Sequence, residues 1–334
     1  MIIKKSGKNV NYIGSKAKLL SFIHQTIHDY VGEDLSQKIF CDLFAGSGVV
    51  GYSFKDEVQF LISNDCEYYS YVLNRALLQS GVIENRAFII DSLNALPLQK
   101  GLIYTHYCLA SGSGRNYFSD ANAQKIDALR QGIENYRNDE MLYFFLLASL
   151  LVNVDKIANT ASVYSAFLKK LKPLAKQSLT LEALLFEPCV KEHRVYCEEA
   201  NHLIEKIEGD ILYLDPPYNR RQYGANYHLL NTIALYDTFT PKGKTGVRKY
   251  ESSSFCKEKT AFGALEAMIA KAKFPYIFLS YNDEGLIPQK SLASMMRLYG
   301  HYESVKVPHE RFHAYTNTLQ KNEINEYIHI IEKF

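Results

Sequence analysis

Tryptophan is absent from this chain, although aromatic surface is not: 25 tyrosines and 18 phenylalanines remain to stack on flat ligands and to fill a core. A field of one charge sign is also missing. Lys and Arg number 38 against 36 Asp and Glu, a net charge of +2, so any basic surface for a polyanion must be local. Cys41, Cys66, Cys108, Cys189, Cys197 and Cys256 are scattered without a CxxC pair, which excludes the usual disulfide or metal frameworks and reads as reduced thiols in a cytoplasmic protein. Cys189, His193 and Cys197 are evenly spaced, but no fourth ligand accompanies them, and no metal is expected. The longest apolar stretch, Met141 to Val154, is too short to span a bilayer and is interrupted by Ser149 and Asn153. Met1-Ile2-Ile3-Lys4-Lys5 lacks the apolar core of a signal peptide, so no membrane partner is expected. Neither a dinucleotide GxGxxG nor a Walker lysine is present, so no phosphate cradle is indicated.

What is present is organised around Asp215-Pro216-Pro217-Tyr218. The preceding Ile211-Leu212-Tyr213-Leu214 reads as a buried strand of a parallel sheet. Proline has no N–H and fixes its own φ, so the sheet must end there. In an open α/β sheet that end faces the ligand crevice. A rigid loop there presents a carboxylate, a bare carbonyl and an aromatic face together, the set needed to act on the exocyclic amine of a planar base. A capped strand followed by a turn is the plain alternative.

At 334 residues the chain can bury a large core, as one large domain plus an insert. Asn11-Tyr12-Ile13-Gly14-Ser15-Lys16 leads into a helical pattern from Lys18 to about Tyr30 and fits either a helix-capping turn or a wrap around a small charged molecule. Ile39 to Asp42 is a buried strand entering the turn Leu43-Phe44-Ala45-Gly46-Ser47-Gly48, with a helix from Val49 to about Phe54. That turn suits a nucleoside without a pyrophosphate, or an ordinary strand-to-helix turn. Phe60 to Ser63 is a second strand, and Asp65 at its end is placed to accept from ribose hydroxyls. Phe88-Ile89-Ile90 is expected as a third strand ending in Asp91-Ser92, which could meet an adenine amine or simply cap a helix.

From about Leu93 to Gly209 the alternation of strands and helices lapses. The expected organisation is therefore a sheet domain of 1–92 and 210–334 with a helical insert of 93–209. Helices are expected from Ser119, as cap, to about Tyr136, and over about Glu140 to Val154. After a helix from about Tyr227 to Asp237, Thr240 to Thr260 reads as a flexible loop. Residues 219–262 hold eight basic groups, Arg220, Arg221, Lys242, Lys244, Arg248, Lys249, Lys257 and Lys259, against three acids, Asp237, Glu251 and Glu258. This excess beside the quartet is the local positive surface that net charge conceals. Lys169, Lys170, Lys172 and Lys176 are either a second such surface or a solvated face. Tyr276 to Tyr281, Tyr302 to Val307 and Ile324 to Ile331 complete the strands, and the last two should pair as an antiparallel hairpin.

Asn11–Lys16, Asp42–Gly48, Asn64-Asp65 and Asp215–Tyr218, in that order, resemble the D12 class of DNA adenine-N6 methyltransferases, the family that includes Dam. The segments Arg115 to Tyr136 and Asn219 to Ala234 look like the methyltransferases of type IIS restriction-modification systems. The resemblance implies an α/β fold: a Rossmann-like methyltransferase sheet, mostly parallel with a C-terminal antiparallel hairpin, plus a helical target-recognition insert. It implies S-adenosylmethionine (AdoMet) as cofactor. Tyr12, Gly14, Ser15 and Lys16 would border its methionine end, with Asp42, Phe44, Ala45, Gly46 and Gly48 beneath it. Asp65 and Cys66 would lie at the ribose, Asp91 and Ser92 at the adenine, and Asp215 alongside. The family often carries tryptophan where this chain has Tyr12; an aromatic is kept. Asp215, Pro216, Pro217 and Tyr218 would act on a flipped-out adenine of double-stranded DNA held by Arg115, Arg220, Arg221, Tyr223, Lys244, Arg248 and Lys249. A cognate restriction endonuclease acting on the same site is an implied partner. The rival classes are an AdoMet enzyme acting on RNA or a small amine, and a non-catalytic binding module. Intact Asp215 and the glycine turn argue against the module; the insert and the basic loop argue against a small substrate.

Overall fold

The computed structural model describes residues 15–310 and 323–334. In chain order these form α1 (Leu20–Val31), β1 (Ile39–Asp42), α2 (Val49–Phe54), β2 (Phe60–Asn64), α3 (Tyr68–Gln79), α4 (Arg86–Asn94), α5 (Leu102–Tyr107), α6 (Asp120–Ile133), α7 (Glu140–Ile157), β3 (Arg194–Tyr196), α8 (Ala200–Leu203), β4 (Ile211–Leu214), α9 (Tyr223–Asn226), α10 (His228–Leu235), α11 (Ala261–Lys271), β5 (Tyr276–Asn282), α12 (Gln289–Met296), β6 (Gly300–Glu310) and β7 (Glu323–Lys333). They fall into two compact units. Among the described residues, one comprises 15–66, Cys189–Gln222, 252–310 and 323–334, and the other comprises Glu67–Pro188 and Tyr223–Glu251.

The first unit is a seven-stranded sheet of order β3-β2-β1-β4-β5-β7-β6. β1 to β5 are mutually parallel where they pair, while β7 runs antiparallel to both β5 and β6. All four residues of β4 are buried, as a strand covered on both faces requires, and the run is accordingly apolar throughout. Strand order changes direction between β1 and β4. At such a switch point the connections after the two strands diverge and leave a crevice beyond their carboxyl ends. Asp42 and Asp215 stand at those two ends.

The third strand beside β2 is not the expected one. Phe88 to Ile90 lies inside helix α4, and Asp91 and Ser92 follow on its exposed side. Only Ile90 and Leu93 of α4 are buried, a helical spacing, while Phe88 is 73% exposed. The place is taken by Arg194–Tyr196, which pairs with Ile62, Ser63 and Asn64. This edge strand has one buried residue, Val195, between two polar ones, so it leaves almost no mark in hydropathy. The sheet unit accordingly regains the chain at Cys189, ahead of the expected return at 210.

In the second unit α7 is buried nearly all round, from Leu142 to Asp155, and forms its core. No helix among the described residues is long and apolar enough to cross a membrane. Ser119 and Asp139 cap α6 and α7 by accepting from Asn122 N and Leu142 N. Arg130, 2% exposed, donates to the Ile233 and Ala234 carbonyls at 2.9 and 3.0 Å, so a buried cation meets the orphan acceptors at the end of α10. Asp127 accepts from the N–H groups of Gly101, Ile103 and Tyr104 and closes the start of α5. The stretch expected as a flexible loop is built: Lys242 and Val247 exchange backbone hydrogen bonds of 3.0 and 2.9 Å, and Tyr107 donates to Gly246 O. Ala261–Lys271, which follows it in the sheet unit, is a helix that the sequence reading leaves out.

One side chain braces the carboxyl edge of the sheet. Asn64 Nδ2 donates to Leu43 O and Glu198 O, each at 3.1 Å, and Asn64 Oδ1 accepts from Glu198 N at 3.0 Å. It thus ties the connections after β1, β2 and β3 together. Asn64→Ala should destabilise the protein by about 2–3 kcal/mol, because buried backbone groups lose their partners. A urea midpoint equal to that of the unmodified chain would refute this bracing role.

Candidate functional site

Asp215 leaves β4 directly into two prolines, so its position follows from the strand and its backbone has little freedom. Its carboxylate is 17% exposed and faces Lys16, whose Nζ lies 3.1 Å from Asp215 Oδ1. The lysine is 4% exposed and donates its well-directed hydrogen bond elsewhere, to Glu326 Oε1 at 2.6 Å. Glu326 is 3% exposed and also accepts from Ser280 Oγ at 3.0 Å. Asp215 Oδ1 is buried and charge-compensated by Lys16, whose approach is not along a well-directed hydrogen bond. Burial pushes the Asp215 carboxyl up to about 6 against the pull of Lys16, and Glu326 pushes it the same way. Burial would lower the Lys16 ammonium, but Asp215, Tyr218 and Glu326 hold it well above the ordinary lysine range. Tyr218 packs edge-on to Tyr281 at 5.7 Å, its ring 5.4 Å from the Lys16 ammonium, and its carbonyl accepts from Leu286 N.

Across the switch point β1 ends in Asp42 and turns through Gly46 (φ +53°) and Gly48 (φ +78°). Both angles lie in the left-handed region that side chains disfavour, which is why glycine stands there. Gly46 N donates to Asp65 Oδ2 at 2.8 Å, so the carboxylate at the end of β2 is fastened to the turn after β1. Phe44 packs edge-on against Phe255 at 5.2 Å, and Ala45 N donates to Asn64 O. Asp42 Oδ2 accepts from Gly51 N at 3.0 Å, in the first turn of α2, while Asp42 Oδ1 is buried without a partner. Burial drives this carboxyl up to about 7, resisted by Gly51 N–H and aided by the charges of Asp215 and Asp65.

Several expected site residues stand elsewhere. Tyr12 and Gly14 lie outside the described residues, and Ser15 directly precedes Lys16. Asp91 and Ser92 are exposed on α4, and Ser92 Oγ donates within its own helix to Phe88 O. The strand end next to β2 belongs instead to Cys197 and Glu198; Cys66 and Cys197 are both exposed. Arg115 spends its guanidinium on the carbonyls of His106, Gly243 and Lys244, and so holds the 242–247 turn in shape. Arg248 makes two 3.0 Å hydrogen bonds to Asp237. Neither guanidinium is displayed for a phosphate. Arg220 pairs with Glu258 at 2.5 Å on an exposed surface. Arg221, Lys244 and Lys249 are exposed, and Tyr223 stacks on Tyr227 at 6.0 Å. Glu326 was not among the expected site residues. Its signal was an acid in phase with Ile328 and Ile330 on the buried face of β7.

The raised Asp42 carboxyl gives a pH-dependent stability. Its folded form binds a proton more tightly than the unfolded chain, so its contribution is full below about pH 4 and is lost as pH rises through about 7. Asp42→Asn keeps an acceptor for Gly51 N and removes the ionisation cost. It should stabilise the ligand-free protein on the order of 2–4 kcal/mol at pH 8, an effect that shrinks as pH falls and becomes small near pH 4. Melting points of the two proteins across that range decide it; an Asp42→Asn effect independent of pH would sink the assignment.

Comparison with known proteins shows the family of the chain. A family model described as D12 class N6 adenine-specific DNA methyltransferase matches residues 12–295. The chain is 52% identical to the type II methyltransferase M.NlaIII of Neisseria lactamica, over 97% of this chain and 99% of that protein. It is 34% identical to the type II methyltransferase M.CviAII of Paramecium bursaria Chlorella virus 1, over 96% and 98%. The type II methyltransferase M.FokI of Planomicrobium okeanokoites is 37% identical over 97% of this chain, which spans 53% of that longer protein. A matched family model over most of the chain, full-length relatives and a strand-end Asp-Pro-Pro-Tyr at the switch point of a mostly parallel sheet lead to one conclusion: the chain belongs to the D12 class of N6 adenine-specific DNA methyltransferases.

Proposed function

We propose that the chain is the modification enzyme of a restriction-modification system, that AdoMet is its methyl donor, and that Asp215 activates the target amine. Family membership already requires a donor of AdoMet type. The carrying observation is the buried Asp215 carboxylate, ion-paired with Lys16 yet lacking a directed hydrogen bond. An acceptor in that state fits an N–H donor from a ligand. Asp42 Oδ1 is a second such acceptor and fits the ammonium of the methionine moiety. Asp65, fastened to the glycine turn, would take the ribose, and Phe44 to Gly48 would pass beneath the cofactor. Cys197 and Glu198, in place of Asp91 and Ser92, would border its adenine end. When bound, AdoMet supplies an electrophilic methyl on a sulfonium that leaves without acid assistance.

The chain's own contribution is to the nucleophile. The N6 lone pair of adenine is delocalised into its ring. A hydrogen bond from N6–H to Asp215 and another to the Pro216 carbonyl would draw that nitrogen toward sp3 geometry and localise the lone pair. Pro217 keeps the loop rigid, so this geometry is preorganised. Tyr218 offers a face for the base, which must leave the duplex to reach it. DNA from cells expressing the protein should carry N6-methyladenine at one short sequence, and Asp215→Ala should abolish the mark with the fold retained, since the charged partner of a transition state is removed. Because the Asp215 carboxyl is raised to about 6, kcat/KM should fall below that pH, approaching about tenfold per unit as the carboxylate is protonated. Near-normal turnover by purified Asp215→Ala would refute the mechanism.

We assign DNA-backbone contacts to the exposed cations, Arg221, Lys244 and Lys249, and target reading to the helical unit, on which Lys169, Lys170 and Lys176 are also exposed. Arg115 and Arg248 then shape the loop that presents Lys244 and Lys249. The double change Lys244→Ala with Lys249→Ala should reduce the log–log salt slope of DNA binding by roughly two and leave AdoMet affinity unchanged. An unaltered salt slope with weakened AdoMet binding would make this loop a cofactor cover instead. The partner implied by the modification role is an endonuclease that cuts the same site when it is unmethylated.

A further inference from the structure

Beyond the amino end of β2, at the edge of the sheet opposite the quartet, two histidines of α1 turn toward one carboxylate. His24 and His28 are four residues apart and so share a face of the helix. Glu57 stands in the connection between α2 and β2. His24 Nδ1 lies 3.4 Å from Glu57 Oε1 and His28 Nε2 lies 3.1 Å from Glu57 Oε2. One ligand atom from each residue falls within 4.8 Å of the others, an arrangement found at this one place among the described residues.

The outer nitrogens fix the protons. Ser53 Oγ donates its hydrogen to Val50 O at 2.7 Å, so it must accept from His24 Nε2–H at 2.9 Å. His28 Nδ1 lies 3.2 Å from Gly32 O, which can only accept, so Nδ1 carries the hydrogen there too. In the neutral rings, His24 Nδ1 and His28 Nε2 are then bare lone pairs, and both face a carboxylate. That contact is repulsive unless a proton or a metal cation lies between them; His28 Nε2 and Glu57 Oε2 stand at hydrogen-bonding distance, 3.1 Å. The His24 ring lies flat on Phe54, 3.8 Å between centroids and 6° between planes. Hydrogen-bonded outer nitrogens and inward lone pairs are what metal-ligating histidines display.

We propose that His24 Nδ1, His28 Nε2 and the Glu57 carboxylate bind one divalent transition-metal ion of the zinc class, with water completing its coordination. Two imidazoles and one carboxylate select zinc or its neighbours over magnesium and calcium. The ion pins α1 to the α2–β2 connection. Its role is structural, because Asp215 stands beyond the opposite, carboxyl edge of the same sheet.

The test uses the full chain, stripped with a chelator and titrated with zinc alone, and with cobalt as a visible reporter. One equivalent of zinc should raise the melting point by several degrees when present in large excess over its Kd, and cobalt should give a ligand-field band. A double change, His24→Gln with His28→Gln, should remove both signals while DNA methylation persists. Ser53→Ala should weaken zinc binding about 10–100-fold through loss of the ring orientation. Should the double variant fail to fold, Glu57→Gln takes its place, with weakened zinc binding expected. Absence of any zinc-dependent shift in the unmodified protein would overturn the proposal and leave a protonated histidine–glutamate cluster. So would an equal shift in a folded ligand variant, which would place the binding elsewhere, for example on the exposed thiols Cys66 and Cys197.

Discussion

A single ammonium shared by two buried carboxylates sets the terms for the site. Three ionised groups out of water carry a large desolvation cost, and only close pairing and further hydrogen bonds offset it. Glu326 has both, from Lys16 and Ser280. Asp215 has the charge but no directed donor. The cluster is therefore one positive charge short, and burial, with Glu326 acting the same way, lifts the Asp215 carboxyl against the pull of Lys16.

That arrangement depends on the sheet's mixed topology. Glu326 reaches the carboxyl end of β5 because β7 runs antiparallel, in the register that sets Glu326 opposite Asn282. A shift of one residue would turn Glu326 out of the buried face and set Ile328 out of phase with the core. The hairpin of β6 and β7 is thus a means of bringing an acid to the carboxyl edge of β5 from a strand that starts there. α1 connects the two edges in a similar way: Lys16 stands just before it, and the histidine pair lies along it toward the amino edge.

The helical unit shows how charged side chains can be absorbed by architecture. Arg115, Arg130 and Arg248 look in sequence like three of many surface cations. In the fold, Arg130 closes the end of α10, Arg115 organises a turn, and Arg248 is paired with Asp237. Arg130 meets acceptors that burial would otherwise leave unpaired, and a guanidinium with five donors suits that task better than an ammonium. The exposed lysines are what remains for a polyanion.

The sequence by itself determined the quartet, the glycine turn after β1, the acid after β2 and the terminal hairpin. Each is encoded locally, by prolines that stop a strand, glycines that take positive φ, and apolar runs of strand length. The tertiary structure alone decided which strand lies beside β2. Arg194–Tyr196 is short, polar at both ends and on the sheet edge, so it has no periodic signature, whereas the more apolar Phe88–Ile90 buries only one side as a helix. It also decided the partners of Lys16 and the duties of Arg115 and Arg248. Those partners are distant in sequence, Lys16 from Glu326 by 310 residues, and a contact of that separation follows from register and chain path, which no local pattern records.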